Sequence, residues 1–168
     1  MFTPKPLHPE GLDAALAKAK RYRLLNEPVE AESISLDILA AKPGHQLALK
    51  MLLLAITDQF ANEVSHNVSR AREIIPQLED EYDRAYYAGI IAERRAKAIL
   101  RREAHGTGPL IYQGLREAMA LFERAEKLSP PDNDDAILRW NACARLIDSK
   151  PHLEPHEPEP AGEGVFGE

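Results

Sequence analysis

An all-α fold follows from three features of the chain. Apolar residues recur at helical spacing in one segment after another, and Pro or Gly closes most of those segments. Ala, Leu, Glu, Arg and Lys, which lose little side-chain entropy in a helix, are abundant, whereas aromatics make up only 6%. At 168 residues, 44% hydrophobic and 29% charged, the chain has one-domain size and enough apolar material for a core.

Residues 1–9 read as an N-terminal arm ahead of a helical domain over 10–150. A first helix is expected from about Gly11 to Leu25, because Leu12, Ala15, Leu16, Ala19 and Tyr22 fall on one stripe. Asn26, Glu27 and Pro28 interrupt it, and Pro28 suits the first turn of a second helix, where its missing N–H costs nothing. That helix turns Ala31, Ile34, Ile38 and Ala41 inward and stops at Pro43-Gly44. A third covers Leu47 to Asp58, whose LALKMLLLAI stretch suggests burial on most sides. The fourth, Asn62 to about Leu78, carries Val64, Val68, Ala71, Ile74 and Ile75 inward, with Pro76 bending or ending it.

Glu79 to Glu103 predicts a long fifth helix, with Tyr82, Ala85, Tyr86, Gly89, Ala92, Ala96 and Ile99 at helical spacing, broken by HGTGPL at 105–110. Leu115, Ala118, Phe122, Ala125 and Leu128 form the stripe of a sixth, stopped by Pro130-Pro131. The seventh spans Asp134 to about Ser149, with Ile137, Trp140, Ala144 and Ile147 on one side and Leu138, Ala142 and Leu146 on another. From Pro151 the composition turns to Pro, Glu and Gly, so residues 151–168 are expected to be a disordered acidic tail. That tail serves solubility or carries a short motif at Val165-Phe166.

The formal charge is −6, and five of those charges are Glu154, Glu157, Glu159, Glu163 and Glu168, which leaves −1 for residues 1–150. A near-neutral body argues against nucleic acid as a partner, since that requires a concentrated positive field. No run of about 18 apolar residues is present to span a bilayer, and the start has no signal-peptide core. With Cys143 as the single cysteine, a reducing, cytoplasmic setting is expected.

Ala31–Pro43, AESISLDILAAKP, aligns with Ala118–Pro130, AMALFERAEKLSP: Ala31 with Ala118, Ser35 with Phe122, Ile38 with Ala125, Pro43 with Pro130. This spacing resembles the second helix of a tetratricopeptide repeat, and Ala19 and Tyr22 fall where that family places small and aromatic first-helix residues. The blocks lie 87 residues apart, whereas two repeats of about 34 would separate them by about 68. The surplus is expected in the fifth helix and the HGTGPL loop, and the middle repeat fits only with a one-residue slip. The resemblance implies a right-handed superhelix of antiparallel helix hairpins, about three repeats with Asp134–Ser149 as closing helix. It further implies a concave groove for a peptide or protein segment, and no catalytic residues.

Candidate binding residues come from two helices. Arg94, Lys97 and Arg101 share one side of ERRAKAILRRE, with Arg95 and Arg102 beside them, as either a solvated outer face or an attractor for an acidic segment, the chain's own tail included. Asn141 and Arg145, four apart, offer fixed donors for a carboxylate or an extended backbone; alternatively Arg145 bonds a carboxylate on a neighbouring helix. Tyr82, Tyr86 and Tyr87 are groove candidates, although Tyr82 and Tyr86 also sit at core spacing. Asp132, Asp134 and Asp135 lack the glycine and spacing of a calcium loop and read as helix-start residues beside the cap Asn133. The histidines lack stable ligand spacing, and no nucleotide, cofactor or hydrolase motif is present. The expectation is a non-enzymatic adaptor without metal or cofactor; the alternative is a structural subunit that dimerises or joins an assembly through exposed helix faces.

Overall fold

The computed structural model describes residues 2–102 and 104–155. Within them the fold is all-α, with seven helices and no strand: α1 Leu12–Leu24, α2 Pro28–Ala41, α3 Gln46–Thr57, α4 Val64–Ile74, α5 Glu81–Arg101, α6 Gly108–Leu128 and α7 Asp135–Asp148. Among the described residues no helix is long and apolar enough to cross a membrane. Each helix packs on the next, and α3 also touches α1 and α5.

The breaks follow local chemistry. Asn26 takes the left-handed conformation (φ 60°) between α1 and α2, which a short polar side chain tolerates, and Gly44 (φ 78°) turns the chain after α2. His45 Nδ1 accepts the Ala48 N–H at 3.2 Å and caps α3. Pro76 ends α4 at Ile74, followed by a 3-10 turn at Ile75–Gln77. Asp80 caps α5 by accepting from the Tyr82 and Asp83 N–H groups at 2.7 and 3.3 Å.

α5 is the central element, because its two flanks belong to different cores. Ile91 and Ala98 join Leu49, Leu53, Ile56, Phe60, Val68 and Ala71 of the α3–α4 side. Ala85, Ile90, Ala92 and Ala96 join Leu115, Ala118, Phe122 and Ala125 of α6 and Cys143 and Ile147 of α7. Small residues let α5 and α6 approach closely: a Cβ on Gly89 would lie 2.6 Å from the Phe122 ring, and one on Gly114 3.1 Å from the Ala96 Cβ. The α5–α6 contact is the most extensive in the fold.

Three expectations are corrected. HGTGPL, expected as a loop, is helical in its second half: Gly108 and Pro109 form the first turn of α6, so that α5 and α6 have 21 residues each, against 11–14 for α1–α4. The acidic tail does not begin at Pro151. Pro151–Leu153 form a 3-10 turn, and Leu153 is buried with α6 and α7; of the expected tail, residues 156–168 lie outside the described residues. Ala41, expected inward, is exposed, and so is Leu138.

Candidate functional site

The charged residues that the sequence strings along α5 meet partners from other helices. Glu93 has 0% exposure although it is charged, and sits one helical turn from buried Gly89, Ile90 and Ala96. Its carboxylate takes Lys97 Nζ on one oxygen and Arg139 Nη1, from α7, at 3.5 Å on the other. A buried carboxylate needs such partners, and these two supply them while remaining about one third exposed themselves.

Arg94, beside it, points across to the C-terminal end of α3. It pairs with Asp58, donates to Thr57 Oγ1 at 2.7 Å and approaches the Leu54 carbonyl at 3.4 Å. Asp58 also receives Arg23 Nε at 2.5 Å from the end of α1. Burial pulls the Arg94 pKa down and outweighs the attraction of Asp58. For Arg139 burial again pulls downward, but the charge of Glu93, with the Tyr86 phenol beside it, wins and the net direction is up. Both guanidiniums stay protonated at any working pH.

Together these side chains line a cavity of about 380 Å³ walled by Arg23 and Asn26, Thr57 and Asp58, the α5 residues Glu93, Arg94, Lys97, Ala98 and Arg101, and Arg139. Five cations (Arg23, Arg94, Lys97, Arg101, Arg139) stand against two carboxylates (Asp58, Glu93), a surplus of three positive charges in a chain whose net charge is negative. A second cavity, of about 410 Å³, has apolar walls of Leu16, Leu47, Met51, Leu54 and Tyr87 from α1, α3 and α5, with Asp13, Lys20 and Lys50 also lining it; the Leu54 carbonyl that Arg94 approaches belongs to one of its wall residues. A cationic cavity and an apolar-walled one built on the same helices α1, α3 and α5 can take different side chains of one extended segment.

Of the candidate residues, Arg94, Lys97 and Arg101 are brought together in this cavity. The solvated-face reading of Arg94 is therefore corrected: it is half-buried and ion-paired. Asn141 and Arg145 lie about 200° and 120° round α7 from Arg139, away from the cavity. Among the described residues the side-chain bonds from α7 to other helices run from Arg139 to Glu93 and from Trp140 Nε1 to Glu123 at 2.9 Å. Tyr86 is packed against the core, stacked on Tyr82 (5.5 Å) and 5.9 Å from Phe122; Tyr87, one residue on, lines the second, apolar-walled cavity.

Sequence reasoning missed Glu93, Arg139, Asp58 and Arg23. The first two carried a signal: each is a charge placed one turn from small or apolar residues that point inward, Gly89 and Ala96 for Glu93, Ala136 and Cys143 for Arg139. Asp58 and Arg23 stand at helix ends and carried none.

Cys143 lies under this network, fully buried, and burial followed by the Glu93 charge pushes its thiol up from 9.0 to about 12. The folded chain therefore keeps the thiol protonated at pH 8, and a thiol-specific disulfide reagent is expected to label it at least ~100-fold more slowly than the urea-unfolded chain. A folded-state pKa above the unfolded one gives stability that is complete below about pH 9 and is lost as pH rises towards 12. Tyr87, raised by burial and then by Asp83, acts in the same direction. The melting temperature is thus expected to fall above about pH 9, less steeply in Cys143→Ala; equal slopes in the two proteins would contradict it.

No protein-family model, curated protein or solved structure matches the chain.

Proposed function

We propose that this chain is a non-enzymatic protein-binding module of tetratricopeptide-like architecture, whose groove receives an extended segment bearing carboxylates and an apolar side chain. The observation that carries the reading is the surplus of three positive charges in one cavity, its cations drawn from α1, α5 and α7, with a separate apolar-walled cavity formed by α1, α3 and α5. Guanidinium groups grip carboxylates bidentately and do not exchange protons near neutrality, which suits binding and not acid–base chemistry.

The repeat architecture is supported by the same helix set. The cavity residues come from the first, third, fifth and seventh helices and the chain just after the first and third, while α2, α4 and α6 each pack against the helices before and after them. The paired blocks of the sequence also occupy matching environments: Ala31, Ser35 and Ile38 in α2 and Ala118, Phe122 and Ala125 in α6 are all fully buried. Ser35 lacks the bulk of Phe122 and satisfies its hydroxyl on the Ala31 carbonyl at 2.7 Å. A subunit held by apolar helix faces finds a surface at Leu24, Leu25 and Val29, exposed at the α1–α2 corner.

The test is a calorimetric titration with a decapeptide of glutamates around a central phenylalanine. Binding is expected to weaken steeply between 50 and 500 mM salt, and Arg101→Glu, a change at the exposed mouth of the cavity, is expected to weaken it about tenfold with an unaltered melt. Affinity indifferent to both would end the proposal.

A further inference from the structure

We propose that residues 156–168 of this same chain are an internal occupant of the cationic cavity and compete there with the partner segment. This rests on the reading of that cavity as a site for acidic segments. The geometry points to it through where the described chain leads. Leu153 is anchored in the core against α6 and α7, and the His152 carbonyl would be 3.3 Å from a Cβ on Gly108, so the chain leaves the fold from a fixed point. Lys150, His152 and Leu153 line one cavity with Arg101 and His105, and Arg101 is also a wall of the cationic cavity. The departure point and the proposed site are thus joined through one residue.

Length and charge agree with that placement. From Arg101 back to Arg94 is seven positions along α5, about 10 Å, whereas thirteen residues reach up to about 43 Å. Residues 156–168 contain Glu157, Glu159, Glu163 and Glu168 and no Lys or Arg, opposite in sign to Arg94, Lys97, Arg101 and Arg139. Pro158 and Pro160 reduce the conformational entropy that docking removes. Tethering puts such a segment at an effective concentration on the order of 1 mM, so even a weak contact keeps the site mostly filled.

The experiment compares the full-length chain with a full-length variant in which Glu157, Glu159, Glu163 and Glu168 are all changed to Gln. In nitrogen–proton spectra the chemical-shift differences outside the substituted segment are expected to cluster at Arg94, Lys97, Arg101 and Arg139, independently of protein concentration. Spectra that coincide at those residues, or differences that vanish on dilution, overturn the internal contact. The glutamate decapeptide is expected to bind the variant about tenfold more tightly than the native chain; equal affinities overturn the competition. A decapeptide that binds neither protein, with the shifts at the four cations present, sinks the reading of the groove as a partner site and leaves the tail contact standing.

Discussion

Phe122→Ala is expected to cost about 3–5 kcal/mol, the range for truncating a fully buried aromatic, in a domain whose whole stability is of the order of 5–15 kcal/mol. The ring is 0% exposed and lies where α5 and α6 come closest, over Gly89 and 5.9 Å from the Tyr86 ring. Removing it opens a void between two helices that cannot close, since Gly114 against Ala96 already holds them at contact distance on the same interface. The complementary change, Gly89→Ala, places a methyl 2.6 Å from the ring and is expected to cost about 1–3 kcal/mol by overpacking. Urea melts of the two single variants and of Gly89→Ala with Phe122→Leu should show the double losing less than the sum, because the smaller side chain makes room for the methyl. Additive losses would mean that Gly89 and Phe122 do not share one packing constraint.

The same interface explains which parts of the fold were legible in the sequence. Stops are local chemistry: Pro43-Gly44, Pro76 and Pro130-Pro131 forbid a continuing helix whatever surrounds them, and the structure breaks at each. Helix length is not local. HGTGPL reads as a breaker throughout, yet Pro109 fits a first helical turn, and the depth of the α5–α6 contact decides that the helix starts there. Leu153 was misplaced for a related reason. A single apolar residue among Pro, His and Glu carries no periodic signal, and only the cleft between α6 and α7 makes it core.

The site divides in the same way. Arg94, Lys97 and Arg101 share a helix face that spacing alone reveals, whereas Arg23, Asp58 and Arg139 arrive from three other helices and become neighbours through packing. Asn141 and Arg145 show the limit of single-helix reasoning. Four residues apart they are neighbours, but spacing says nothing about which neighbour helix a face meets, and their face does not meet the cavity.

Glu93→Gln is expected to move stability and binding in opposite directions. The native carboxylate, wholly buried, engages Lys97 and Arg139, much as a partner's carboxylate would. The amide fills nearly the same volume and keeps one acceptor, so one cation loses its partner and the other keeps a weaker bond to a neutral oxygen, and a loss of about 1–2 kcal/mol in urea unfolding is expected. It stays below the ~3–5 kcal/mol of a broken, fully buried pair because both cations are about one third exposed and can turn to water. In the cavity the surplus rises from three positive charges to four, and one cation is released from its acceptor. The glutamate decapeptide should then bind several-fold more tightly at 50 mM salt, with the gain shrinking at 500 mM. If Glu93 merely held the helices in place, both quantities would fall together. A tighter complex on a less stable fold would instead identify Glu93 as a built-in competitor of the partner's carboxylates, retained because a buried cationic cluster without an internal counter-charge costs more than the affinity it would gain.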